Sequence, residues 1–173
     1  MTNILNNISK ITLQHYQSRA ESFWQGTKDH DVSQNIEALC QSLDKAFGQI
    51  RCKILDFGCG PGRDLLTFRQ KGHEPVGLDG CPAFVEHARQ YSGCNVWQQD
   101  FLHLELPKQT FHGIFANASF FQIPSRLMPD TLSLFHQALL PGGVLFMSNP
   151  RGQGEGFFGD RYATYLELED YSA

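Results

Sequence analysis

The first fifty residues carry their apolar positions at a helical spacing. Residues 3–22 mix polar and apolar positions and predict one helix, followed by a polar connector over 23–31. A second helix is predicted after it, with Asp31 and Gln34 as a capping box and Gly48 at its end. The apolar positions of this second helix form one stripe: Ile36, Leu39, Cys40, Leu43, Ala46 and Phe47.

Beyond residue 50 the apolar positions form short runs separated by glycine and by helical segments. The runs predict five strands, at 53–57, 75–79, 95–98, 111–117 and 143–148. The segments between them predict helices at 63–71, from Pro82 onwards, and at 127–140, the last interrupted early by Pro129. This alternation favours an α/β fold with a doubly wound, mostly parallel sheet and additional N-terminal helices. Ligands of such sheets bind beyond the carboxyl ends of the strands.

Composition narrows the class of protein. The chain has 173 residues, is 41% hydrophobic and has a net charge of −4, which fits one folded domain and excludes a disordered chain. Because there is no basic surplus, we expect no nucleic-acid or anionic-membrane partner. No apolar run is long enough for a transmembrane helix, and the N-terminus lacks the pattern of a secretory signal.

The five cysteines are an odd number without a CxxC pair, which indicates free thiols in a reducing compartment, the cytoplasm. The histidines fall at scattered spacings, and we expect no metal.

The strongest local signal is a glycine loop between the first strand and the helix after it. The loop reads D-x-G-x-G-x-G, with Asp56 followed by Gly58, Gly60 and Gly62. Glycines let a backbone turn tightly and approach a ligand, and a helix N-terminus favours an anionic group. Arg63 stands where the dinucleotide fingerprint needs its third glycine, and no GK[ST] ending of a phosphate-binding loop occurs in the chain. The alternative reading is a tight turn without a ligand.

Two further acidic groups follow the next two strands. Asp79, with Gly80 after it, ends the second strand, where a carboxylate can accept hydrogen bonds from ribose hydroxyls. The alternative role of Asp79 is a helix cap before Pro82. Asp100 and Phe101 follow the third strand, where the carboxylate can accept from an adenine amine and the ring can cover the base.

With these residues in place, the sequence resembles the class I S-adenosylmethionine-dependent methyltransferases, and in particular small bacterial members with a helical N-terminal lid. The resemblance covers about residues 51–152, and its motifs lie in the family's order: ILDFGCGPGRDL, VGLDGCPAFVEHAR, QQDFLHLELP, FHGIFANASFFQIP and LLPGGVLFMSNPRG. It implies a Rossmann-like fold, here one domain with a lid over 1–50, a cofactor-binding core over 51–150 and a glycine- and aromatic-rich tail over 151–173.

The resemblance also implies S-adenosylmethionine as cofactor and methyl transfer to a small-molecule acceptor by in-line displacement. The residues expected to bind the cofactor are Tyr16, Asp56, Gly58, Gly60, Gly62, Asp79, Gly80, Asp100, Phe101 and Asn117. Asn117 would also line the transfer site, and His30 in the polar connector is the one mobile base that we name as a catalytic candidate. A surface or capping histidine is the alternative for His30. The polar groups expected near the acceptor are Tyr16, His30, Asn117, Ser119, Gln122 and Arg151.

Two departures from the family pattern raise alternatives. Gln122 stands where related sequences often carry histidine, and glutamine takes no proton near neutral pH. Residues 166–173 look like the start of a helix, and the last strands of the usual seven-stranded sheet are absent from the pattern. We therefore expect either a shortened chain or a second copy that covers the exposed sheet edge, and a tail that is a loop over the substrate or a disordered remnant. The competing functions are a non-catalytic S-adenosylmethionine-binding protein and an NAD-dependent oxidoreductase.

Overall fold

The N-terminal third of the computed structural model, which describes residues 2–172, is helical. Its helices are α1 (Thr2–Ser18), α2 (Ala20–Thr27) and α3 (Ser33–Phe47). The single helix predicted over 3–22 is wrong, because the backbone leaves the helical region at Arg19, with φ −121° and ψ 15°. The break turns α2 towards α5, where Phe23 packs against Phe84 and Trp24 against His87. The polar connector is therefore partly helix.

Helix α3 begins without the capping box expected of Asp31 and Gln34. Its N-cap residue is Val32, which makes no side-chain cap. Asp31 instead accepts a hydrogen bond from the backbone N–H of Ser33 at 2.9 Å, one residue before the capping geometry would need it.

The central sheet has five strands, which are all parallel, as the alternating pattern predicted. Their order, β3-β2-β1-β4-β5, was not part of that prediction. The strands are β1 (Lys53–Phe57), β2 (Glu74–Asp79), β3 (Asn95–Gln98), β4 (Phe111–Asn117) and β5 (Leu139–Ser148). The helices between them are α4 (Arg63–Gln70), α5 (Pro82–Ser92) and α6 (Met128–Ala138). The strand order reverses between β1 and β4, which is where such sheets open a crevice for a ligand.

Strand β1 sends alternate side chains to two separate cores. In β1, Leu55 and Phe57 join a core that includes Phe135 of α6, whereas Ile54 joins a second core with Leu39 and other residues of α3. All five of these side chains are fully buried. Because β1 is packed on both faces, its position in the molecule is fixed. The position of the loop that follows β1 is fixed with it.

Helix α6 and strand β5 meet differently from the prediction. The expected helix over 127–140 starts at Met128 and ends at Ala138, and β5 begins at once with Leu139. Pro129 does not interrupt the helix, because it lies in the first turn, where a missing N–H breaks no internal hydrogen bond.

The tail is an ordered hairpin and not the expected loop or disordered remnant. Strands β6 (Gly154–Phe158) and β7 (Arg161–Tyr165) pair antiparallel in a small sheet of their own. The N–H of Tyr162 donates to Thr12 of α1 at 3.1 Å, and the hydroxyl of Thr164 donates to the carbonyl of Ile123 at 2.9 Å. The helix expected from 166 is a short 3-10 turn at Leu168–Ser172. The central sheet thus ends at β5, short of the usual seven strands.

Candidate active site

A cavity of about 440 Å³ opens at the carboxyl ends of the central strands, below α1 and α2. Its size lies in the range of small-molecule sites. The expected site residues that line it are Tyr16, His30, Gly58, Gly60, Asp79, Gly80, Asp100, Phe101 and Asn117. Two of the expected residues, Asp56 and Gly62, do not line it.

The three glycines of the loop have different neighbours. A Cβ on Gly58 would lie 2.4 Å from the Cβ of Ser119, and one on Gly62 would lie 2.8 Å from Cα of Ala88 in α5. A Cβ on Gly60 would meet only a ring atom of Phe23, at 3.9 Å. Gly58 and Gly62 therefore permit close packing within the protein, whereas Gly60 leaves open space on the cavity side.

Asp56 lies under this loop rather than in the cavity. It is 2% exposed, and its Oδ2 has no hydrogen-bond partner among the described residues. Burial raises the pKa of Asp56 well above its ordinary value, and the nearby carboxylate of Asp64 raises it further. Asp56 therefore keeps its proton to a higher pH than a surface carboxyl does. Its own side chain does not line the cavity.

Asp79 connects the glycine loop to the second strand. Its Oδ2 accepts from the N–H of Gly60 at 3.0 Å and its Oδ1 from the N–H of Cys81 at 2.8 Å. The expected alternative role, a cap before Pro82, is not present, because the N-cap residue of α5 is Cys81 and no side chain caps the helix. The bond to Cys81 instead closes the turn that leads into α5. Burial raises the pKa of Asp79 to about 6, and the backbone hydrogen bonds oppose that shift. At neutral pH the group is mostly ionised, and a carboxylate with about four acceptor positions keeps capacity for ligand hydroxyls.

Asp100 and Phe101 form the neighbouring wall of the cavity. Asp100 accepts from the N–H of Leu102 at 2.9 Å, and its second oxygen lies 3.3 Å from Nδ1 of His103. The Phe101 ring packs on Phe57 with centroids 4.3 Å apart. The contact with Phe57 holds the flat face of the Phe101 ring next to the Asp100 carboxylate. An aromatic face beside a carboxylate is the pair of features expected around an adenine.

The carboxyl end of β4 is held by a network around Asn117. Its Oδ1 accepts from Asn35 of α3 at 3.0 Å and from the hydroxyl of Ser148 at 2.6 Å. The next residue, Ala118, has a φ of +52°, a conformation that is uncommon for residues other than glycine and recurs at functional sites. The network ties the end of β4 to α3 and to the end of β5.

Arg63 also lines the cavity, but its charge is already paired within the protein. Its Nε donates to Asp64 at 2.7 Å, and its Nη1 donates to the carbonyl of Thr27 at the end of α2. These bonds engage the Arg63 guanidinium within the protein. The Arg63 contact also ties α2 to the start of α4.

Helices α1 and α2 roof the cavity through aromatic side chains. The Tyr16 ring packs on Phe23 and Phe84, and the Tyr16 hydroxyl accepts from the amide of Gln122 at 3.0 Å. Burial raises the pKa of Tyr16, so its hydroxyl keeps its proton at neutral pH. His30 also borders the cavity, although its side chain is exposed.

Arg161 was missed by the sequence reasoning. It is the first residue of β7 and lines the cavity, whereas Arg151, expected there, is exposed and does not. The signal was present: Gly159 and Asp160 separate two aromatic runs, and a Gly-Asp pair between such runs is typical of a two-residue hairpin loop. In the hairpin Phe158 pairs with Arg161, as that loop length requires.

Comparison with known proteins agrees with this geometry. A family model described as a methyltransferase domain matches residues 54–143. The trans-aconitate 2-methyltransferase of Azoarcus sp. strain BH72 is 35% identical over 106 residues, which is 59% of this chain and 40% of that protein. The same enzyme of Escherichia fergusonii is 36% identical over 102 residues, 56% of this chain and 38% of that one. The chain therefore spans about two fifths of the length of these relatives.

Solved structures share the fold over more of the chain. The DhpI–SAH complex superposes with a TM-score of 0.71 at 15% identity, over 96% of this chain and 85% of that one. The 1,6-didemethyltoxoflavin-N1-methyltransferase of Burkholderia thailandensis, solved with that compound and S-adenosylhomocysteine, gives a TM-score of 0.69 at 19% identity, over 94% and 74%.

The sheet order and the family match define a Rossmann-like methyltransferase domain. The chain belongs to the class I S-adenosylmethionine-dependent methyltransferases, as the sequence motifs predicted. Within residues 2–172, no helix is long and apolar enough to cross a membrane, and no group of three His, Cys, Asp or Glu is placed to hold a metal ion.

Proposed function

We propose that the chain binds S-adenosylmethionine and transfers its methyl group to a small-molecule acceptor. The observation that carries the proposal is the position of Gly60, Asp79 and Asp100, which follow three different strands and line one cavity. The open space at Gly60, the free acceptor capacity of Asp79 and the flat face of Phe101 all fit an adenosyl compound. The dehydrogenase alternative has no support, since the family match is to methyltransferases.

The cofactor, when bound, supplies a methyl group that its sulfonium already activates. The chain's part is then to align the acceptor and to exclude water. The roof formed by Tyr16 and Phe23 keeps solvent out, and Asn117 with Ala118 forms the wall at the transfer end. Positioning of this kind needs no dedicated base.

We assign Asn117 to the transfer wall and keep His30 as the one mobile base. His30 borders the cavity from the short connection between α2 and α3, where it is exposed to solvent. Gln122 serves in neither role, because its amide takes no proton and is hydrogen-bonded to Tyr16. This engaged glutamine is also what favours the second candidate, a protein that binds the cofactor without turnover.

The names of the relatives support a small-molecule acceptor. They act on trans-aconitate, and a structural neighbour holds 1,6-didemethyltoxoflavin. The net charge of −4 supports the absence of a nucleic-acid partner.

Calorimetry with S-adenosylmethionine and S-adenosylhomocysteine tests the proposal without knowledge of the acceptor. We expect both to bind, and we expect Asp79→Ala to weaken both by about 10- to 100-fold, since charged hydrogen bonds are lost. The matched control is Asp130→Ala, which removes an exposed carboxylate from α6. Unchanged affinity in Asp79→Ala would refute the ribose assignment, and binding without methyl transfer to a broad acceptor panel would favour the second candidate.

Three further assignments belong to the proposal. Residues 1–50 act as a lid, 51–150 as the cofactor-binding core and 151–173 as a substrate-side tail. The five cysteines are free thiols, which supports a cytoplasmic location. Along its outer edge, β5 pairs with no strand of the described residues, and we propose that a second copy of the chain covers it. A monomer mass by light scattering at high solubility would contradict the last assignment.

A further inference from the structure

Arg161 is held in place by the hairpin that carries it. The neighbouring N–H of Tyr162 bonds to Thr12 of α1, and the hydroxyl of Thr164, three residues on from Arg161, bonds to the carbonyl of Ile123. A third anchor joins the hydroxyl of Tyr162 to Glu155 at 2.6 Å. The backbone of Arg161 is thus fixed to the lid on one side and to the segment after β4 on the other.

The charge of Arg161 is not balanced within the protein. Among the described residues no carboxylate lies within ion-pair distance of it, whereas Arg63, the other arginine of the cavity wall, pairs with Asp64 at 2.7 Å. The buried Nε of Arg161 has no hydrogen-bond partner in the described part of the chain. The groups in contact with its guanidinium are neutral: the hydroxyl groups of Tyr16 and Tyr165, and the ring of Phe121 at 5.7 Å. The adjacent Asp160 pairs with Arg19 instead. A half-buried cation without a counter-charge is costly unless a ligand supplies one.

The position of Arg161 assigns it to the acceptor side of the cavity. The carboxylates expected to hold the adenosyl group follow β2 and β3, whereas Arg161 packs on Phe121 and Tyr16 beyond the end of β4. Gln122 reaches the same place, since its amide donates to the Tyr16 hydroxyl. A guanidinium, an amide and a phenol hydroxyl therefore meet on one wall.

We propose that Arg161, with Gln122 beside it, binds an anionic oxygen group of the methyl acceptor, a carboxylate or a phosphonate. This inference rests on the proposed function, because it names the class of acceptor that the same cavity takes. The planar guanidinium presents paired N–H donors that match two oxygens of such a group. Arg161 thereby selects acids over neutral molecules of the same shape, and its role is recognition and positioning.

The test measures the binding of acids and their neutral analogues to the protein saturated with S-adenosylhomocysteine. The probes are benzoate with benzamide, succinate with succinamide, tricarballylate with its triamide, and methylphosphonate with its dimethyl ester. We expect at least one acid to bind in preference to its neutral partner. Arg161→Gln is expected to lower that acid's affinity by about 10- to 100-fold and to leave the neutral analogue unaffected. The affinity of Arg161→Lys for the acid is expected to lie between those of the wild type and of Arg161→Gln, because lysine keeps the charge without the paired donors.

Arg126→Gln is the matched control. Arg126 is exposed, lies outside the main cavity, and loses the same charge on substitution. We expect its affinities for acids and for S-adenosylhomocysteine to equal those of the wild type. Should Arg161→Gln fail to fold, the Arg161→Lys variant and the acid-to-amide ratio of the wild type decide the question.

The outcomes separate this inference from the proposed function. Tight binding of S-adenosylhomocysteine with no preference for any acid overturns the role of Arg161 and leaves the proposed function standing. A loss of S-adenosylhomocysteine affinity in Arg161→Gln as large as the loss for the acid also overturns it, since Arg161 would then serve the cofactor. If S-adenosylhomocysteine does not bind the wild type, both proposals fail.

Discussion

The glycine loop contains two positions that are alike in sequence but differ in their surroundings. Gly60 and Gly62 both have positive φ, at +52° and +97°, so alanine costs about 1–2 kcal/mol of backbone strain at either. At Gly62 the new Cβ also collides with Ala88, which adds about 1–3 kcal/mol of overpacking. At Gly60 it projects into nearly open space.

We therefore predict that Gly62→Ala lowers the free energy of unfolding by more than Gly60→Ala does. Gly60→Ala should instead weaken S-adenosylhomocysteine binding by at least tenfold at a modest loss of stability, because its methyl group occupies ligand space. Denaturant unfolding and calorimetry of the two variants measure both effects. Equal stability of the two variants, or unchanged affinity in Gly60→Ala, would contradict this division of roles.

The buried carboxylate of Asp79 predicts a pH dependence of cofactor binding. Its pKa of about 6 means that the protonated form, which accepts fewer hydrogen bonds, dominates below that pH. Affinity for S-adenosylhomocysteine should rise from pH 5 to pH 7, by at most tenfold per unit below pH 6, and then level off. Calorimetry at stepped pH checks this, and the slope should vanish in Asp79→Ala. A wild-type affinity that is flat over this range would show that the ionised group is not used.

The contribution of Asp79 to folding stability changes with pH in the opposite direction to its effect on binding, because it falls as the pH rises. The native pKa of about 6 lies above the ordinary value of 3.8, so the native state holds the proton more tightly than the unfolded chain. This contribution is present below about pH 4 and is lost as the pH rises towards 6. Asp79 is thus better suited to binding a ligand than to stabilising the empty protein.

At the scale of elements, α2 and α3 differ in how firmly they are held. Helix α2 has no buried residue, whereas α3 buries Ile36, Leu39, Cys40 and Leu43. Few buried contacts imply a low free energy of local opening. We predict rapid amide hydrogen exchange over residues 20–27 without ligand and marked slowing with S-adenosylhomocysteine, since Trp24 and Thr27 border the cavity. Residues 33–47 serve as the internal control and should change little. Equal protection of α2 with and without ligand would refute its role as a lid.

Elements were predictable from the sequence where local pattern and tertiary packing agree. Strands β3 and β4 have the predicted bounds. A short apolar run that is bounded by glycine or polar residues can occupy only one position in a sheet that is covered on both faces. The break at Arg19 was not predictable from periodicity, since it serves the packing of Phe23 and Trp24 on a distant helix. The hairpin shows a different limit: its turn signal is present in the sequence, but the aromatic and glycine-rich composition around it fits a loop equally well.

The candidate site shows the same division between local and long-range information. Gly60, Asp79 and Asp100 were predictable because each directly follows a strand, and parallel strands bring such positions to one edge. Asp56 was expected at the site and lies beneath it, because its strand points alternate side chains to opposite faces. The turn signal at Gly159 and Asp160 predicts the hairpin but not the place of Arg161 at the cavity, since only the folded hairpin brings a residue so late in the chain against the lid.

At the scale of the whole molecule, a ligand that binds only the folded state raises the melting temperature. At 100 times its dissociation constant it adds about 2.7 kcal/mol to the free energy of unfolding. For a domain of 173 residues this corresponds to a rise of about 5–10 °C. We predict such a rise with S-adenosylhomocysteine in a thermal-shift measurement, no rise with NAD, and a smaller one for Asp79→Ala at the same ligand concentration. Because strands from both halves of the sheet and the lid helices all border the cavity, stabilisation should appear as one cooperative transition shifted as a unit. A rise with NAD alone would instead assign the cavity to a dinucleotide, and the reasoning from Asp79 and Asp100 to an adenosyl sulfonium would fail with it.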